Sequence, residues 1–142
     1  MRIDVVIADD HPLSRKGVRH FLEMEGDIRV VGEAGDGFEL LSLIQEKTPG
    51  PDVALVDARM PNMDGVEATK RIRASFPNVR VLMMSAFDDR DLVFSAVEAG
   101  ARGYILKGSE PDHLIEAVRC VVAGQFVVDP KLAGRGAGSR VG

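Results

Sequence analysis

Five times along the chain a short run of apolar and β-branched residues gives way to a segment with helical apolar spacing, joined to it by a few polar or turn-forming residues. The runs are Arg2 to Ala8, Ile28 to Ala34, Val53 to Asp57, Val79 to Met84 and Gly103 to Leu106. Runs so short and so evenly apolar read as strands covered on both faces rather than on one. Between them, Leu13, Gly17, Val18, Phe21 and Leu22 recur at helical spacing through Glu25, as do Phe38, Leu40, Leu41 and Ile44, then Val66, Ala68, Thr69 and Ile72. Asp88-Asp89 opens a fourth helix through Leu92, Val93, Ala96 and Val97, and a fifth carries Leu114, Ile115, Ala117, Val118, Val121 and Val122. Gly26-Asp27, Thr48-Pro49-Gly50-Pro51, Phe76-Pro77-Asn78 and Gly100 break the helices. Because crossovers between parallel strands are right-handed, this alternation requires a parallel sheet with helices on both faces. The expected fold is α/β, a doubly wound five-stranded parallel sheet with five helices.

In such a sheet the C-terminal ends of the strands line one edge, where open α/β folds bind their ligands. The first strand runs into Asp9-Asp10-His11-Pro12, the third ends on Asp57, the fourth is followed by Ser85, and the fifth by Lys107. Each has an ordinary explanation. Asp9 and Asp10 could cap the helix that Pro12 starts, Ser85 could be a cap, Lys107 a solvated strand end, and Tyr104 a half-buried strand aromatic. Taken together, separate strand ends would have to supply matching chemistry by chance. Three crowded carboxylates repel one another, and a hard divalent cation relieves that repulsion. Mg2+ suits them, since it takes oxygen ligands, retains waters and pairs with phosphate. A lysine opposite can hold a phosphoryl oxygen as a point charge, and a hydroxyl can donate to another. The set therefore reads as a cradle for a phosphoryl group with one carboxylate to carry it. His11 offers nitrogen where Mg2+ prefers oxygen, so it is assigned a structural or tuning role.

The remaining composition narrows the class. At 142 residues the chain holds about one domain. Its net charge of −4 and pI near 5.4 argue against nucleic-acid binding by this segment, and Lys70-Arg71-Arg73 reads as a solvated helix face. No apolar stretch approaches a membrane span and no targeting peptide is seen, which makes the cytoplasm the default location. Cys120 cannot form an internal disulfide and is expected to be a small buried hydrophobe. Ser109 is a plausible cap for the last helix, with Glu110 and Asp112 in its first turn. The organisation expected is a folded unit over residues 1–124, then a linker or flexible tail over 125–142.

The motifs Ala-Asp-Asp-His-Pro after the first strand, Val-Asp-Ala-Arg-Met-Pro-Asn-Met-Asp-Gly after the third, Ser85-Ala86 after the fourth and Gly-Tyr-Ile-Leu-Lys at the fifth resemble those of the receiver domains of two-component response regulators. The resemblance is specifically to the NarL/LuxR type and covers Ile3 to about Ala123. It implies a flavodoxin-like strand order 2-1-3-4-5. It also implies that Asp57 accepts a phosphoryl group from a sensor histidine kinase, with Mg2+ held by Asp10, Asp9, Asp57 and the backbone carbonyl of Arg59. Ser85 and Tyr104 would be the switch residues and Lys107 the ion-pair partner of the phosphoryl oxygens. Phosphorylation would then change the contacts of the fourth helix, fifth strand and fifth helix, controlling dimerisation or a C-terminal helix-turn-helix output domain that binds DNA and regulates transcription. Where many receivers place proline after the lysine, this chain has Gly108. Two other readings are compatible with a strand-end aspartate: a pseudo-receiver that serves as an interaction module, and an aspartyl-phosphate phosphohydrolase. The latter typically needs a second acid two residues after the nucleophile, where this chain has Arg59.

Overall fold

The computed structural model describes residues 2–86, 90–129 and 131. Along the chain it forms β1 (Ile3–Ala8), α1 (Pro12–Glu23), β2 (Ile28–Ala34), α2 (Gly37–Glu46), β3 (Val53–Asp57), α3 (Gly65–Ser75), β4 (Arg80–Ser85), α4 (Arg90–Ala99), β5 (Gly103–Leu106), α5 (Pro111–Val122) and β6 (Val127–Val128). Every strand pair is parallel and the order is β2-β1-β3-β4-β5-β6. The expected five-stranded order and five helices are present, with one short strand added beyond β5. Two residues are too few for an apolar period to register in sequence. Residues 127–129 therefore lie on the sheet, although they fall in the segment expected to be linker, and most of that segment lies outside the described residues.

Alternation along the strands divides the core into two layers. Val5, Ile7, Val53, Leu55, Leu82, Met84 and Ile105 point to the face covered by α1 and α5, where they meet Leu22, Leu114, Val118 and Val121. Val6, Ala8, Ala54, Val56, Val81, Met83 and Tyr104 point to the face covered by α2, α3 and α4, against Leu40, Ile44, Ala68, Ile72 and Ala96. Burying both faces of the central strands is what their unbroken apolar runs require.

Helix ends follow local chemistry. Pro12 and Pro111 sit in the first turns of α1 and α5, where a missing N–H costs nothing. Asp36 and Asp64 cap α2 and α3, accepting from Glu39 N–H at 2.8 Å and Glu67 N–H at 2.9 Å. Gly100 ends α4 with φ 108°, a conformation that glycine adopts without penalty. The expected start of α4 at Asp88-Asp89 lies outside the described residues.

Two local expectations do not hold. Ser109 does not cap α5: Glu110 occupies that position without a side-chain bond, and Ser109 Oγ donates instead to Asp129. Cys120 is half-buried rather than buried. The apolar stripe of α1 is only partly covered, with Leu22 buried but Leu13 86% exposed. On that face α1 packs on β1, β2 and α5, and Leu13 in its first turn stays exposed. Lys70, Arg71 and Arg73 are exposed, as their solvated reading requires.

Candidate functional site

The chain leaves β1 toward β2 on one side and leaves β3 toward β4 on the other, so the crevice between the ends of β1 and β3 is the switch point of the sheet. Register decides what meets there. Ala8 pairs with Val56, which sets Asp9 beside Asp57; Asp57 pairs with Met84, so Ser85 lies one residue beyond it; Ser85 pairs with Leu106, with Lys107 next. The strand-end residues singled out from sequence are thus brought together by hydrogen-bonded register, not by loops.

Asp9 is held by its backbone. Its N–H donates to the Ala34 carbonyl at 3.0 Å and its carbonyl accepts from Arg15 Nη1 at 2.6 Å. The Asp9 side chain accepts from His11 N–H at 2.9 Å, while Arg59 N–H donates to Asp57 Oδ1 at 3.2 Å. Oxygens of Asp9, Asp10 and Asp57 and a ring nitrogen of His11 all lie within 4.8 Å of one another. Lys107 closes the cluster, its Nζ 2.8 Å from Asp9 Oδ2 and 2.9 Å from Asp57 Oδ2. His11 itself is exposed, with Nδ1 3.2 Å from Asp10 Oδ1. That position on the rim fits a tuning role better than a ligand's.

Burial sets the electrostatics. It pushes the Asp57 carboxyl above the usual carboxylate range, although the Lys107 ammonium and the Arg59 N–H pull it down. Burial acts the same way on Asp9, but hydrogen bonds from Lys107, His11 N–H and Ser14 outweigh it and leave that carboxyl lowered. For Lys107 burial favours the neutral amine, yet the two carboxylates hold its pKa above the ordinary lysine value. The crevice therefore holds two buried acids in different environments, with one cation shared between them.

Ser85 is buried at the end of β4, where its carbonyl accepts from Lys107 N–H at 2.7 Å. Tyr104 is fully buried in the layer of α2, α3 and α4, and so is not the half-exposed aromatic of the ordinary reading. Gly65 has a role that sequence did not show. A Cβ built there would lie 2.3 Å from the Asp57 carbonyl oxygen, so the first turn of α3 packs on the backbone of the phosphoacceptor candidate. Asn62, at φ 67°, reaches back to donate to Asp36 Oδ2 at 2.7 Å and fixes the loop between β3 and α3 to the cap of α2. Sequence also gave no sign of the buried carboxylate of Asp129.

The donor set fits Mg2+. Asp9 Oδ2 and Asp10 Oδ1 are buried and face Lys107 Nζ at 2.8 Å and His11 Nδ1 at 3.2 Å, contacts that a cation could replace. Asp9, Asp10 and Asp57 supply oxygen alone, the donor type that Mg2+ takes.

A parallel α/β sheet of this order with an acidic crevice at its switch point defines a flavodoxin-like domain. The chain belongs to the response regulator receiver domain family, whose sequence profile matches residues 5–119. It is 44% identical over 137 residues to the probable transcriptional regulatory protein NarL of Mycobacterium tuberculosis, covering 96% of this chain and 62% of that one. The solved signal receiver domain of that putative regulator superposes with a TM-score of 0.82 at 42% identity, covering 87% of this chain and 98% of that one. A two-component response regulator of the LuxR family from Aurantimonas sp. SI85-9A1 gives a TM-score of 0.94 at 34% identity, covering each chain in full. This is a receiver domain of the NarL/LuxR type. The chain spans between 55% and 62% of the length of curated relatives that it matches.

Proposed function

We propose that this domain is a phosphorylation switch in which Asp57 accepts a phosphoryl group from the phosphohistidine of a sensor histidine kinase. The observation that carries the reading is the buried Lys107 ammonium shared by Asp9 and Asp57 beside a third carboxylate. An oxygen of Asp57 attacks phosphorus, the P–N bond breaks, and its electron pair returns to the imidazole of the kinase, which takes up a proton. Asp9, Asp10, Asp57 and the Arg59 carbonyl would hold Mg2+, which when bound offsets negative charge on the phosphoryl oxygens.

The residues of the chain divide the remaining work. Lys107 pairs with the phosphoryl oxygens in exchange for its bond to the Asp57 carboxylate. The Ser85 hydroxyl moves to donate to the same group, and buried Tyr104 follows behind it, altering the face made by α4, β5 and α5. The domain takes part in its own phosphorylation and dephosphorylation in this way, without being an enzyme for an outside substrate. With Arg59 in the place of a second acid, hydrolysis of a free phosphate ester lacks its general acid.

In the whole protein, a receiver unit over residues 1–124 would be followed by a connecting segment over 125–142 whose first residues lie along β5. A helix-turn-helix output domain beyond it would bind DNA and control transcription, with homodimerisation as the step that phosphorylation favours. The site of action would be the cytoplasm; among the described residues, no helix is long and apolar enough to cross a membrane. The test is intact-mass measurement with a small acyl phosphodonor and Mg2+. One phosphoryl adduct is expected, absent in Asp57→Ala; an adduct that survives in the variant would overturn the assignment.

A further inference from the structure

Strand β6 is the fifth to end on a residue with a chemical use, and that residue lies outside the phosphorylation crevice. Phe126-Val127-Val128-Asp129 is an apolar run closed by an acid, the same signature that the end of β3 shows. Asp129 is 1% exposed. Its Oδ2 accepts from Leu106 N–H at 3.0 Å and from Ser109 Oγ at 2.5 Å, and its Oδ1 from Lys131 N–H at 3.0 Å. Its own N–H donates to the Tyr104 carbonyl at 2.8 Å. Burial would push this carboxyl up, yet the bonds from Ser109, Leu106 and Lys131 hold it below the usual range.

The two donors to Oδ2 are the ends of one turn. Ser109 N–H donates to the Leu106 carbonyl at 3.2 Å, and Gly108 has φ 86°, the left-handed third position of a type II turn. Lys107 is the second residue of that turn. A single buried oxygen therefore grips both ends of the four-residue segment from which the Lys107 side chain reaches Asp9 and Asp57.

We infer that Asp129 is a positioning residue for Lys107: it clamps the 106–109 turn so that the ammonium stays between Asp9 and Asp57, and it joins that turn to the chain continuing past β6. The inference rests on the proposed role of Lys107 in phosphoryl transfer. Two of the three hydrogen bonds that Asp129 accepts come from the turn itself, so the buried carboxylate serves chiefly to fix the shape of that turn. Since the clamp spans the end of β5 and the residues after β6, a shift of Lys107 toward a phosphoryl group loads the segment that leads onward from the domain.

The experiment compares Asp129→Ala, Asp129→Asn and Ser109→Ala, each with Lys107 intact and with Lys107→Ala. The first readout needs no phosphorylation: the side-chain methylene resonances of Lys107, resolved by NMR in the native chain, should collapse to averaged positions in Asp129→Ala and partly recover in Asp129→Asn. The second is the rate of adduct formation with a small acyl phosphodonor and Mg2+. It should fall on the order of tenfold to a hundredfold in Asp129→Ala, the size that misplacing a reacting group costs, and should show no further fall once Lys107 is already alanine. Equal losses in both Lys107 backgrounds, or unchanged Lys107 resonances, would overturn the inference. Should Asp129→Ala fail to fold, Ser109→Ala decides the matter, since it removes one clamp bond and leaves the buried carboxylate in place. Absence of an adduct on the native chain would overturn the phosphoacceptor reading, and the Lys107 resonances would still decide the position of Asp129.

Discussion

Lys107 stands 2.9 Å from Oδ2 of Asp57, and these residues come from the ends of two strands that do not touch, β5 and β3, with β4 between them. The same ammonium is 2.8 Å from Asp9 Oδ2, and only 17% of its side chain is exposed. Removing it leaves neighbouring carboxylates without a counter-charge in a poorly solvated crevice. Lys107→Ala is expected to destabilise the domain by about 3 kcal/mol, the range for breaking a buried ion pair. Urea unfolding measures this, and the deficit should shrink when Mg2+ is added, because a cation can then take over the neutralisation.

Asp57 is the opposite case. Its carboxyl is pushed up by burial, so its ionised form is worse off in the folded chain than in the unfolded one. Asp57→Asn, which keeps the shape and leaves Lys107 paired with Asp9, should therefore stabilise the domain by on the order of 1 kcal/mol, a rise in Tm of roughly 3 °C. A fall in Tm would show that the Lys107 pair outweighs the desolvation. In the expected outcome, function at this position is retained at a cost to stability.

The two signs combine in the dependence on pH. Asp9, Glu33, Asp36 and Asp129 all have lowered carboxyl pKa values. For Glu33 the first cause is the bond from Arg19, and for Asp36 the bond from Glu39 N–H; Asp9 and Asp129 are lowered despite burial. Such groups give a stability that is complete above the unfolded values near 4 and is lost as pH falls through their lower folded values. Asp57, being raised, costs stability when ionised, and that cost fades as pH falls through its folded pKa toward the unfolded 3.8. Urea midpoints recorded downward from pH 7 should hold or rise slightly before dropping steeply below about pH 4. The slight rise should vanish in Asp57→Asn, while the steep drop should remain.

Most of this site could be read from sequence because it is built at strand ends, where an apolar run announces the strand and the next residue announces the chemistry. Asp9, Asp57, Ser85 and Lys107 each follow that rule, and parallel register brings them together. Asp129 follows it too, but β6 is only two residues long and lies after the last helix, where the glycine-rich composition reads as linker. What sequence did not show is which partner each side chain would choose. Ser109 has the type and place of a helix cap, yet a buried carboxylate 20 residues away offers a stronger, charge-assisted acceptor. Likewise the exposure of Leu13 is a tertiary fact, since its apolar spacing matches that of the buried Leu22.

Gly65 tests how closely α3 must approach the site. Its N–H donates to the Ala58 carbonyl at 2.9 Å, and a Cβ would sit 2.3 Å from the Asp57 carbonyl oxygen and 2.8 Å from Ala58 Cα. Both obstacles are backbone, which cannot swing aside as a side-chain end would. Gly65→Ala should cost about 1–3 kcal/mol through overpacking, and it should also slow adduct formation by displacing Asp57. A variant that melts early but is phosphorylated at the native rate would place the strain in the helix rather than in β3.

Gly108 separates this chain from receivers with proline after the lysine. At φ 86° it lies in the left-handed region, and proline, fixed near −65°, cannot enter it. Nothing lies within 4 Å of a Cβ built there, so Gly108→Ala isolates the backbone term and should cost only about 1 kcal/mol. Gly108→Pro instead forces the turn to rearrange. Since Leu106 and Ser109 are both tied to Asp129, the turn cannot change shape without breaking one of those bonds or moving Lys107. The expected outcome is a loss of phosphorylation rate in Gly108→Pro that is much larger than in Gly108→Ala, with both variants still folded by circular dichroism. Native rates in the proline variant would mean that the Lys107 side chain reaches Asp57 from either turn, and that its placement does not depend on the left-handed glycine.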